Sequence, residues 1–428
     1  MKKIIIAALS LLVIFIFLFW KFGPNFVKKD LGPINLVWWG FEDENVVAAL
    51  ITEYQKTHPK VVITYVKQSP LNYRTRLQVQ IREAVGPDVF KIHNSWTDMF
   101  LADLHSAPGN IFSSIEYQSS FYPIAQESFI RDKQILAVPT GIDGLALYYN
   151  EDILSGVGLP PPKSWSELVE TATKVTVRDS SGNIKTAGVA LGSTKNIDYW
   201  PEILGLLLLQ QPGVNFQNLN SPQVAEVIRF YTGFITDPKK KTWDINLPSS
   251  SQMFEQGNLA FYFGPSGKAY EIKKINPNLR FRVVPVPQLP GRQIAWGSFW
   301  AEAVSINSSH QRESWEFIKF LTSSPAQRLS YEIHQQRGLP SKAFSRVDLA
   351  PELVDDVTLG AYILQGPYYK SWYLNSDTLD NGLNDEIIKL MQEVVESVLS
   401  GQESNTPLQR IDGEVKQIIQ KYTQPVAP

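Results

Sequence analysis

The chain has 428 residues, of which 43% are hydrophobic and 19% are charged, and this composition excludes a disordered chain and a protein with many membrane spans. Its length exceeds one ordinary hydrophobic core and favours two lobes. The formal net charge of -2 argues against nucleic-acid binding, and the lack of cysteine excludes disulfides, thiolate metal sites and cysteine nucleophiles.

The N-terminus predicts a membrane anchor. Two lysines precede an uncharged run of 17 residues from Ile4 to Trp20, which reaches the lower limit of about 17 residues for a membrane-spanning helix. No small-residue cleavage site follows, so we expect an uncleaved anchor at residues 1–20 and a tether at residues 21–33. A cleaved secretion signal is the alternative, and both interpretations place the rest of the chain outside the cytoplasm.

The segments after the tether alternate between strand and helix patterns. INLVWWG at residues 34–40 and VVITYV at residues 61–66 predict strands, and the segment between them has the apolar periodicity of a helix. The pattern continues with a helix at about residues 73–84 and a strand at about residues 88–93. This order favours right-handed crossovers and a parallel sheet.

Three later helices have recognisable boundaries. Ser164 and Glu167 have the spacing of a capping box, which predicts a helix from Ser164. Pro222 and Pro325 each follow a serine and are predicted to be the first residues of two further helices. Gly338 is expected to end the second of these. The whole pattern predicts an α/β protein.

The sequence contains no recognisable catalytic or metal-binding motif. Its five histidines are scattered, GPSGK at residues 264–268 lacks the first glycine and the final Ser or Thr of a phosphate loop, and no GxSxG occurs. We therefore expect neither a metal site nor a cofactor. Glu42, Asp43 and Asp143 could include a glycosidase pair, but solvated or ligand-binding carboxylates are the more common interpretation.

Aromatic residues lie at the ends of predicted strands. Trp38 and Trp39 end the first strand, Trp96 follows the third, and Trp296 and Trp300 flank a Gly-Ser pair. Ligands of open α/β sheets bind beyond the carboxyl ends of the strands, and sugars stack on such rings. Core packing is the alternative for each tryptophan. Because neighbouring strand residues point to opposite faces, one of Trp38 and Trp39 should be in the core.

Residues 139–170, PTGIDGLALYYNEDILSGVGLPPPKSWSELVE, resemble the crossover segment of the extracellular solute-binding proteins that serve carbohydrate ABC importers, the maltose-binding-protein-like family. Five further segments are similar to that family in the same order: GPDVFKI (86–92), FEQGNLAFYFGPSG (254–267), VVPVPQLPG (283–291), SWEFIKFLTSSPAQ (314–327) and GLPSKAF (338–344). The chain departs from the family in lacking a lipobox cysteine and in having Ser266 where relatives often carry an aromatic residue.

The resemblance implies a fold as well as a family. It implies an α/β protein with the two-lobed, type II-like periplasmic-binding-protein fold, with crossovers between the lobes near residues 141, 286 and 341. Lobe 1 would comprise residues 31–141 and 289–338, and lobe 2 would comprise residues 142–286 and 342–428. The ligand would lie between the lobes.

The resemblance also implies ligand contacts. Carried over by motif position, these are Glu42, Asn94, Trp96, Asp143 and Ser266. Five further candidates are chosen only as polar or aromatic groups in predicted cleft loops: Tyr199, Trp200, Tyr369, Trp372 and Asp377. Trp38, Trp39, Trp296 and Trp300 complete the predicted site.

These features favour an extracytoplasmic solute-binding protein that its N-terminal helix holds to the cell membrane. We expect a monomer that captures a mono- or oligosaccharide and delivers it to the transmembrane subunits of an ABC importer. Another polar solute, such as a sugar phosphate or a polyol, stays open as the ligand. A glycan-active enzyme is disfavoured by the absence of catalytic motifs, and an adhesion module would not need three crossovers.

Overall fold

A computed structural model describes residues 32–423 of the chain. The predicted anchor at residues 1–20 lies outside the described residues, as does all but the end of the predicted tether at residues 21–33. Among residues 32–423, none of the helices combines the length and the apolar composition needed to cross a membrane.

The strands of the described residues form two main sheets and two small ones. In chain order they are β1 (Ile34–Gly40), β2 (Val61–Lys67), β3 (Val89–His93), β4 (Leu104–His105), β5 (Ile130–Arg131), β6 (Gln134–Ile135), β7 (Ala137–Pro139), β8 (Ala146–Asn150), β9 (Val177–Arg178), β10 (Ile184–Val189), β11 (Leu259–Gly264), β12 (Phe281–Val284), β13 (Ala295–Trp296), β14 (Trp300–Ser305) and β15 (Tyr369–Lys370).

The helices alternate with these strands until the last part of the chain, which is largely helical. In chain order they are α1 (Glu44–Gln55), α2 (Tyr73–Arg82), α3 (Ser114–Ser120), α4 (Pro123–Phe129), α5 (Glu151–Val157), α6 (Trp165–Val175), α7 (Trp200–Gln210), α8 (Pro222–Thr236), α9 (Ser250–Glu255), α10 (Gly267–Ile275), α11 (Gln311–Leu321), α12 (Ser324–Arg337), α13 (Ala350–Leu353), α14 (Gly360–Gln365), α15 (Leu383–Leu399) and α16 (Asn405–Thr423).

Lobe 1 is built on the first sheet, with the strand order β2-β1-β3-β14-β4 and with β7 also paired to β14. β1 runs parallel to β2 and β3, which confirms the predicted parallel pairing. β14 is antiparallel to its neighbours in this sheet. In the sequence it follows all the strands of the second sheet. Helices α1, α11 and α12 pack together on this sheet.

Lobe 2 is built on the second sheet, with the strand order β12-β8-β11-β10-β9. Helix α6 packs on β10 and β11, and the two long C-terminal helices, α15 and α16, pack on α8. The chain passes between the sheets after β7, after β12 and after α12, so the predicted two-lobed α/β architecture with three crossovers is present. The residue boundaries of the two lobes stay a prediction.

The predicted starts of α6 and α8 are confirmed. The Ser164 hydroxyl accepts from the Glu167 N–H at 3.2 Å, and the Glu167 carboxylate accepts from the Ser164 N–H at 3.3 Å, which completes the capping box. Pro222 is the first residue of α8, behind the capping hydroxyl of Ser221.

The predicted start of α12 is wrong by one residue, and its predicted end is confirmed. Ser323 is the N-cap, because its hydroxyl accepts from the Ala326 N–H at 3.4 Å, and Pro325 is therefore the second helical residue. Proline is tolerated there because the first-turn N–H groups have no helical acceptor. Gly338 ends the helix with a φ of 58°, a conformation that favours glycine.

A buried ion pair lies at the centre of the first sheet. Lys91 on β3 and Glu302 on β14 are direct cross-strand partners with an Nζ–Oε1 distance of 2.7 Å. The Trp38 indole N–H donates to the other Glu302 oxygen at 3.0 Å, and Lys91 also contacts Glu42 at 3.2 Å. Lys91 and Glu302 are at most 2% exposed. Such charges are tolerated in a core only when they are paired and hydrogen-bonded, so this cluster ties β1, β3 and β14 together.

Replacement of Lys91 by methionine should destabilise lobe 1. Lys91→Met leaves the Glu302 carboxylate buried without its counter-charge, and we expect the free energy of unfolding to fall by about 3–5 kcal/mol. Chemical denaturation followed by tryptophan fluorescence measures this change. The matched control, Arg312→Met, breaks an exposed pair with Glu316 on α11 and should cost no more than about 0.5 kcal/mol. Equal losses in the two variants would contradict a structural role for the buried pair.

Candidate ligand-binding cleft

The crossover segments meet side by side at the base of the space between the lobes. The Ile142 N–H donates to the Ala343 carbonyl at 2.9 Å, and the Leu145 N–H donates to the Trp296 carbonyl at 3.0 Å. A Cβ atom at Gly144 would lie 2.0 Å from the Trp296 carbonyl oxygen. This close approach of two backbones therefore requires glycine at position 144.

The residues of the second crossover that contact the first crossover lie C-terminal to the predicted position. The predicted position was near residue 286, but the Val286 N–H donates to the Gln365 side chain of lobe 2 at 2.8 Å. The contact with the first crossover is made ten residues later, by Trp296, and by Ser298, whose N–H donates to the Asp143 carbonyl at 3.1 Å. The segment between these points winds over lobe 2 before it returns to lobe 1.

Asp143 joins the first crossover to the end of β11. Its Oδ1 atom accepts from the Gly144 N–H at 2.8 Å and from the Ser266 N–H at 3.0 Å. Its Oδ2 atom accepts from the Ser266 hydroxyl at 2.8 Å. Burial raises the pKa of Asp143, and the hydrogen bonds from Ser266 and Gly144 offset only part of this effect.

A small cavity, here named the hinge cavity, lies beside this contact and has a volume of about 30 Å³. It is lined by side chains of the first and second crossovers, of the start of α7 and of the turn Ser376–Thr378. These are Asp143, Tyr199, Glu202, Trp296, Ser298 and Asp377. Its volume is sufficient for one or two water-sized groups.

Glu202 is the most buried acid of the hinge cavity, at 3% exposure. Its Oε1 atom accepts from the Ser376 N–H at 2.5 Å and from the Ser376 hydroxyl at 2.8 Å, whereas its Oε2 atom has no hydrogen-bond partner among the described residues. Burial, and then the nearby Asp377 carboxylate, raise the pKa of Glu202 to about 8. Glu202 is therefore protonated at neutral pH.

Asp377 opens the hinge cavity to solvent. Asp377 is exposed, and its carboxylate accepts from the Ser298 hydroxyl at 3.3 Å. Partial loss of hydration, and then the carboxylate of Asp143, raise the pKa of Asp377 to about 6. Asp377 thus disfavours the ionisation of Glu202, and Asp143 disfavours the ionisation of Asp377.

A larger cavity, here named the inter-lobe cavity, has a volume of about 420 Å³. From lobe 1 it is lined mainly by polar and charged groups: Asn94, Ser95, Asp98, Glu127 and Arg131. From lobe 2 it is lined mainly by rings: Phe216, Trp372 and Tyr373. Ligand pockets commonly have volumes of about 300–1,000 Å³.

The inter-lobe cavity combines a stacked ring pair with a charged pair. Phe216 and Trp372 stack with their ring centroids 4.3 Å apart and an interplanar angle of 30°. On the opposite lobe the Arg131 guanidinium donates to the Asp98 carboxylate at 2.7 Å. Ring faces and charged hydrogen-bonding groups together suit a ligand with apolar C–H faces and peripheral hydroxyls.

His93 connects the two cavities. Its ring nitrogens lie 2.8 Å from the Ser95 hydroxyl, at the inter-lobe cavity, and 3.1 Å from the Ser298 hydroxyl, at the hinge cavity. Ser298 in turn donates to Asp377 at 3.3 Å. Burial lowers the pKa of His93 to about 3, so its imidazole is neutral and has one donor and one acceptor nitrogen.

Glu42 faces a third cavity of about 80 Å³ between the end of β1, α12 and the third crossover. Its carboxylate lies 3.2 Å from Lys91 and 3.9 Å from Lys342. Burial would raise the pKa of Glu42, but Lys91, followed by Lys342 and His334, lowers it to about 2. Lys342 also lowers the pKa of Asp143.

One segment of lobe 2, the loop before α15 together with the first turn of that helix (residues 375–384), touches lobe 1 at the edge of the cleft. The Arg74 guanidinium donates to the Asp380 carbonyl at 2.7 Å, and the Asn384 amide donates to the Ser95 hydroxyl at 3.0 Å. Leu379 and Asn381 in this loop have positive φ values of 44° and 45°, which non-glycine residues rarely adopt. The lobes are therefore in direct contact across the cleft.

Six of the predicted site residues line the cavities between the lobes. Asn94 and Trp372 line the inter-lobe cavity, and the hinge cavity is lined by the other four: Asp143, Tyr199, Trp296 and Asp377. Ser266 lies next to them through its hydrogen bonds to Asp143. A ligand-contact role for these residues stays a prediction.

Four predicted aromatic contacts are corrected because their rings are buried and line neither the hinge cavity nor the inter-lobe cavity. Trp38 points into lobe 1 and is fixed by Glu302, so it is the core member of the Trp38–Trp39 pair. Trp96 stacks on Phe100 inside lobe 1 with a centroid distance of 5.8 Å. Trp200 and Tyr369 are buried in α7 and β15.

Trp39 and Trp300 are half-buried and line neither the hinge cavity nor the inter-lobe cavity.

Several residues that line the cavities were not predicted from the sequence: Asp98, Arg131, Glu202, Phe216 and Tyr373. For Glu202 a signal existed, because it is the one charged residue of the apolar helix WPEILGLLLLQ. A charged group on an otherwise buried helix must be paired or functional. No group of three or more His, Asp or Glu side chains within residues 32–423 could hold a metal ion.

The profile of a protein family described as bacterial extracellular solute-binding protein matches residues 49–360. The melibiose/raffinose/stachyose-binding protein of Bacillus subtilis is 22% identical over 386 residues, which are 84% of this chain and 84% of that protein. The matches to binding proteins of Brucella abortus cover 58% of this chain and only 61% of those proteins.

Solved structures show the same fold. A cyclo/maltodextrin-binding protein in complex with maltotetraose aligns with a TM-score of 0.74 at 15% identity and covers 92% of this chain and 100% of that chain. The sugar-binding protein MalE of Xanthomonas citri aligns with a TM-score of 0.73 at 20% identity and covers 90% of this chain and 98% of that chain.

The raised pKa of Glu202 predicts that stability falls as the pH rises. The folded state holds this proton up to about pH 8, whereas the unfolded state releases it near the ordinary pKa of 4.5. Stability is therefore full below about pH 4.5 and is lost progressively up to about pH 8, by on the order of 3–5 kcal/mol. Glu202→Gln removes the titration and should be more stable than the wild type at pH 9 but nearly equal to it at pH 5.

Thermal unfolding at the two pH values measures this difference. The matched control is Glu170→Gln, which changes an exposed acid on α6 of the same lobe and should leave the pH dependence unchanged. If Glu202→Gln and the wild type lost stability in parallel between pH 5 and pH 9, Glu202 would not be the titrating group.

Proposed function

The chain belongs to the family of bacterial extracellular solute-binding proteins, and we propose that it captures a carbohydrate between its two lobes and delivers it to an ABC importer. The observation that carries this proposal is the inter-lobe cavity, which combines ring faces from lobe 2 with charged and polar groups from lobe 1. Several proteins of similar fold or sequence are sugar-binding proteins by name. The importer is proposed from the family alone.

The arrangement of the crossovers supports binding by closure of the two lobes. All three crossovers lie at the base of the cleft, so small backbone rotations there would move one lobe relative to the other. The inter-lobe cavity takes residues from both lobes, and a ligand in it would therefore contact both. Contacts such as Arg74 with Asp380 would form at the same time, because they span the cleft edge.

The proposed contacts are the residues whose side chains reach the cleft. Trp372 would supply a ring face, while Asn94, Asp98 and Arg131 would hydrogen-bond the ligand hydroxyls. Asp143, at the base of the cleft, would hold the shape of the site through Ser266.

The excess of carboxylates around the hinge cavity disfavours a sugar phosphate, which leaves neutral or cationic ligands. We propose binding without chemical change of the ligand.

Two further parts of the proposal rest on sequence alone. Residues 1–20 would anchor the protein in the cell membrane, with residues 21–33 as the tether to the folded part. Lobe 1 would comprise residues 31–141 and 289–338, and lobe 2 would comprise residues 142–286 and 342–428. The protein would act as a monomer on the outer side of the membrane.

Calorimetry against a panel of mono- and oligosaccharides should show one-to-one binding of at least one sugar. Asp143→Asn keeps the shape of the side chain but has only one acceptor oxygen for the Ser266 and Gly144 donors that hold the base of the site, so the affinity should fall by about tenfold or more. The control Glu170→Gln removes a surface charge from the same lobe and should bind as the wild type does. Steady release of product from a glycan during the titration, seen by chromatography, would instead indicate an enzyme.

The anchor can be tested separately from binding. The full chain, produced in a bacterial host, should sediment with membranes and retain residues 1–20, because the uncharged run favours the bilayer. A chain that starts at Ile34 should be recovered without membranes. N-terminal sequencing that finds a shortened soluble form of the full chain would show that the segment is a cleaved signal.

A further inference from the structure

The hinge cavity has more acidic groups than basic ones to balance them. Asp143, Glu202 and Asp377 all line it, and each has a raised pKa. Lys342 lowers the pKa of Asp143 and of Asp377, but the effect of burial on both is larger. By contrast, Lys91 balances Glu302 and Glu42 in the core of lobe 1.

A buried polar atom of the hinge cavity also has no partner among the described residues. It is the Oε2 atom of Glu202, a side chain that is 3% exposed. Buried polar atoms normally have partners, so this oxygen is available to a group that enters the cavity.

The dimensions of the cavity restrict what that group can be. A volume of about 30 Å³ accepts a water-sized group such as a hydroxyl or an ammonium, but not a sugar ring. Asp377 lines the cavity and is exposed, so the cavity is open to solvent beside it. A ligand whose ring lies against this opening can therefore extend one small substituent into the hinge cavity.

We propose that the hinge cavity receives a protonated amine and that the bound carbohydrate is accordingly an amino sugar. This inference rests on the proposed function and names its ligand class. An ammonium has three donors and a positive charge, so it can donate to Asp377 and, once Glu202 has released its proton to solvent on binding, to Glu202 at the same time. Charge-assisted hydrogen bonds of this kind are about twice as strong as neutral ones.

The three acids have different roles in this arrangement. Asp143 is already engaged by the backbone and hydroxyl of Ser266, so it contributes negative charge rather than a free acceptor. Glu202 has one free oxygen, and Asp377 accepts only a long bond of 3.3 Å from Ser298. Glu202 and Asp377 are therefore the groups that contact the amine.

Calorimetry on the full chain tests the inference with glucosamine and its β-1,4-linked dimer as probes. Glucose, N-acetylglucosamine and the N-acetylated dimer are the matched neutral sugars. The amines should bind at least about tenfold more tightly than their neutral counterparts. Glu202→Gln keeps the acceptor for Ser376 and should remove most of this preference, whereas the surface control Glu170→Gln should retain it.

The outcomes separate this inference from the proposed function. If neutral sugars bound as tightly as the amines, the inference would be overturned while carbohydrate binding would stand. A Glu202→Gln variant that lost affinity for amines and neutral sugars equally would assign Glu202 a structural role and would also overturn it. If no sugar of either class bound, the proposed function itself would be contradicted.

Discussion

The pairing of the crossover backbones determines where the two lobes can meet. Gly144 has no side chain, and this allows the first crossover to lie against the Trp296 carbonyl of the second. The third crossover pairs with the first through Ile142 and Ala343. Because these backbones are hydrogen-bonded to one another, the side chains that follow them, Asp143 and Ser298, face the same small space. The hinge cavity is thus a direct result of backbone pairing.

The protein uses buried charge in two different ways. In lobe 1, Lys91 and Glu302 form a closed pair that leaves little net charge and fixes three strands. At the hinge cavity, Glu202 and Asp377 lie near each other without a dominant cation, and their ionisation is suppressed. A paired cluster is typical of a structural core. In an unbalanced cluster the acidic groups repel one another, and a bound cation can relieve this repulsion.

The sequence predicted the local structure well and the site only in part. The strand at residues 34–40 and the capping box of α6 follow from apolar pattern and side-chain spacing, and both are present. The burial of Trp96 could not be predicted, because it depends on packing against residues from other elements. Glu202 was missed for a similar reason: its neighbour Asp377 is 175 residues away in sequence and approaches only when the chain folds.

The position of β14 has a consequence for the order in which the protein can be assembled. This strand pairs with β3, β4 and β7, but it comes after the whole second sheet in the chain. The sheet of lobe 1 therefore has a gap beside β3 until residue 305 has been synthesised. During that time β1, β2 and β3 can associate only as an incomplete sheet with an unpaired edge. Lobe 2, whose sheet strands all lie between residues 146 and 284, has no such gap and can form its own sheet first.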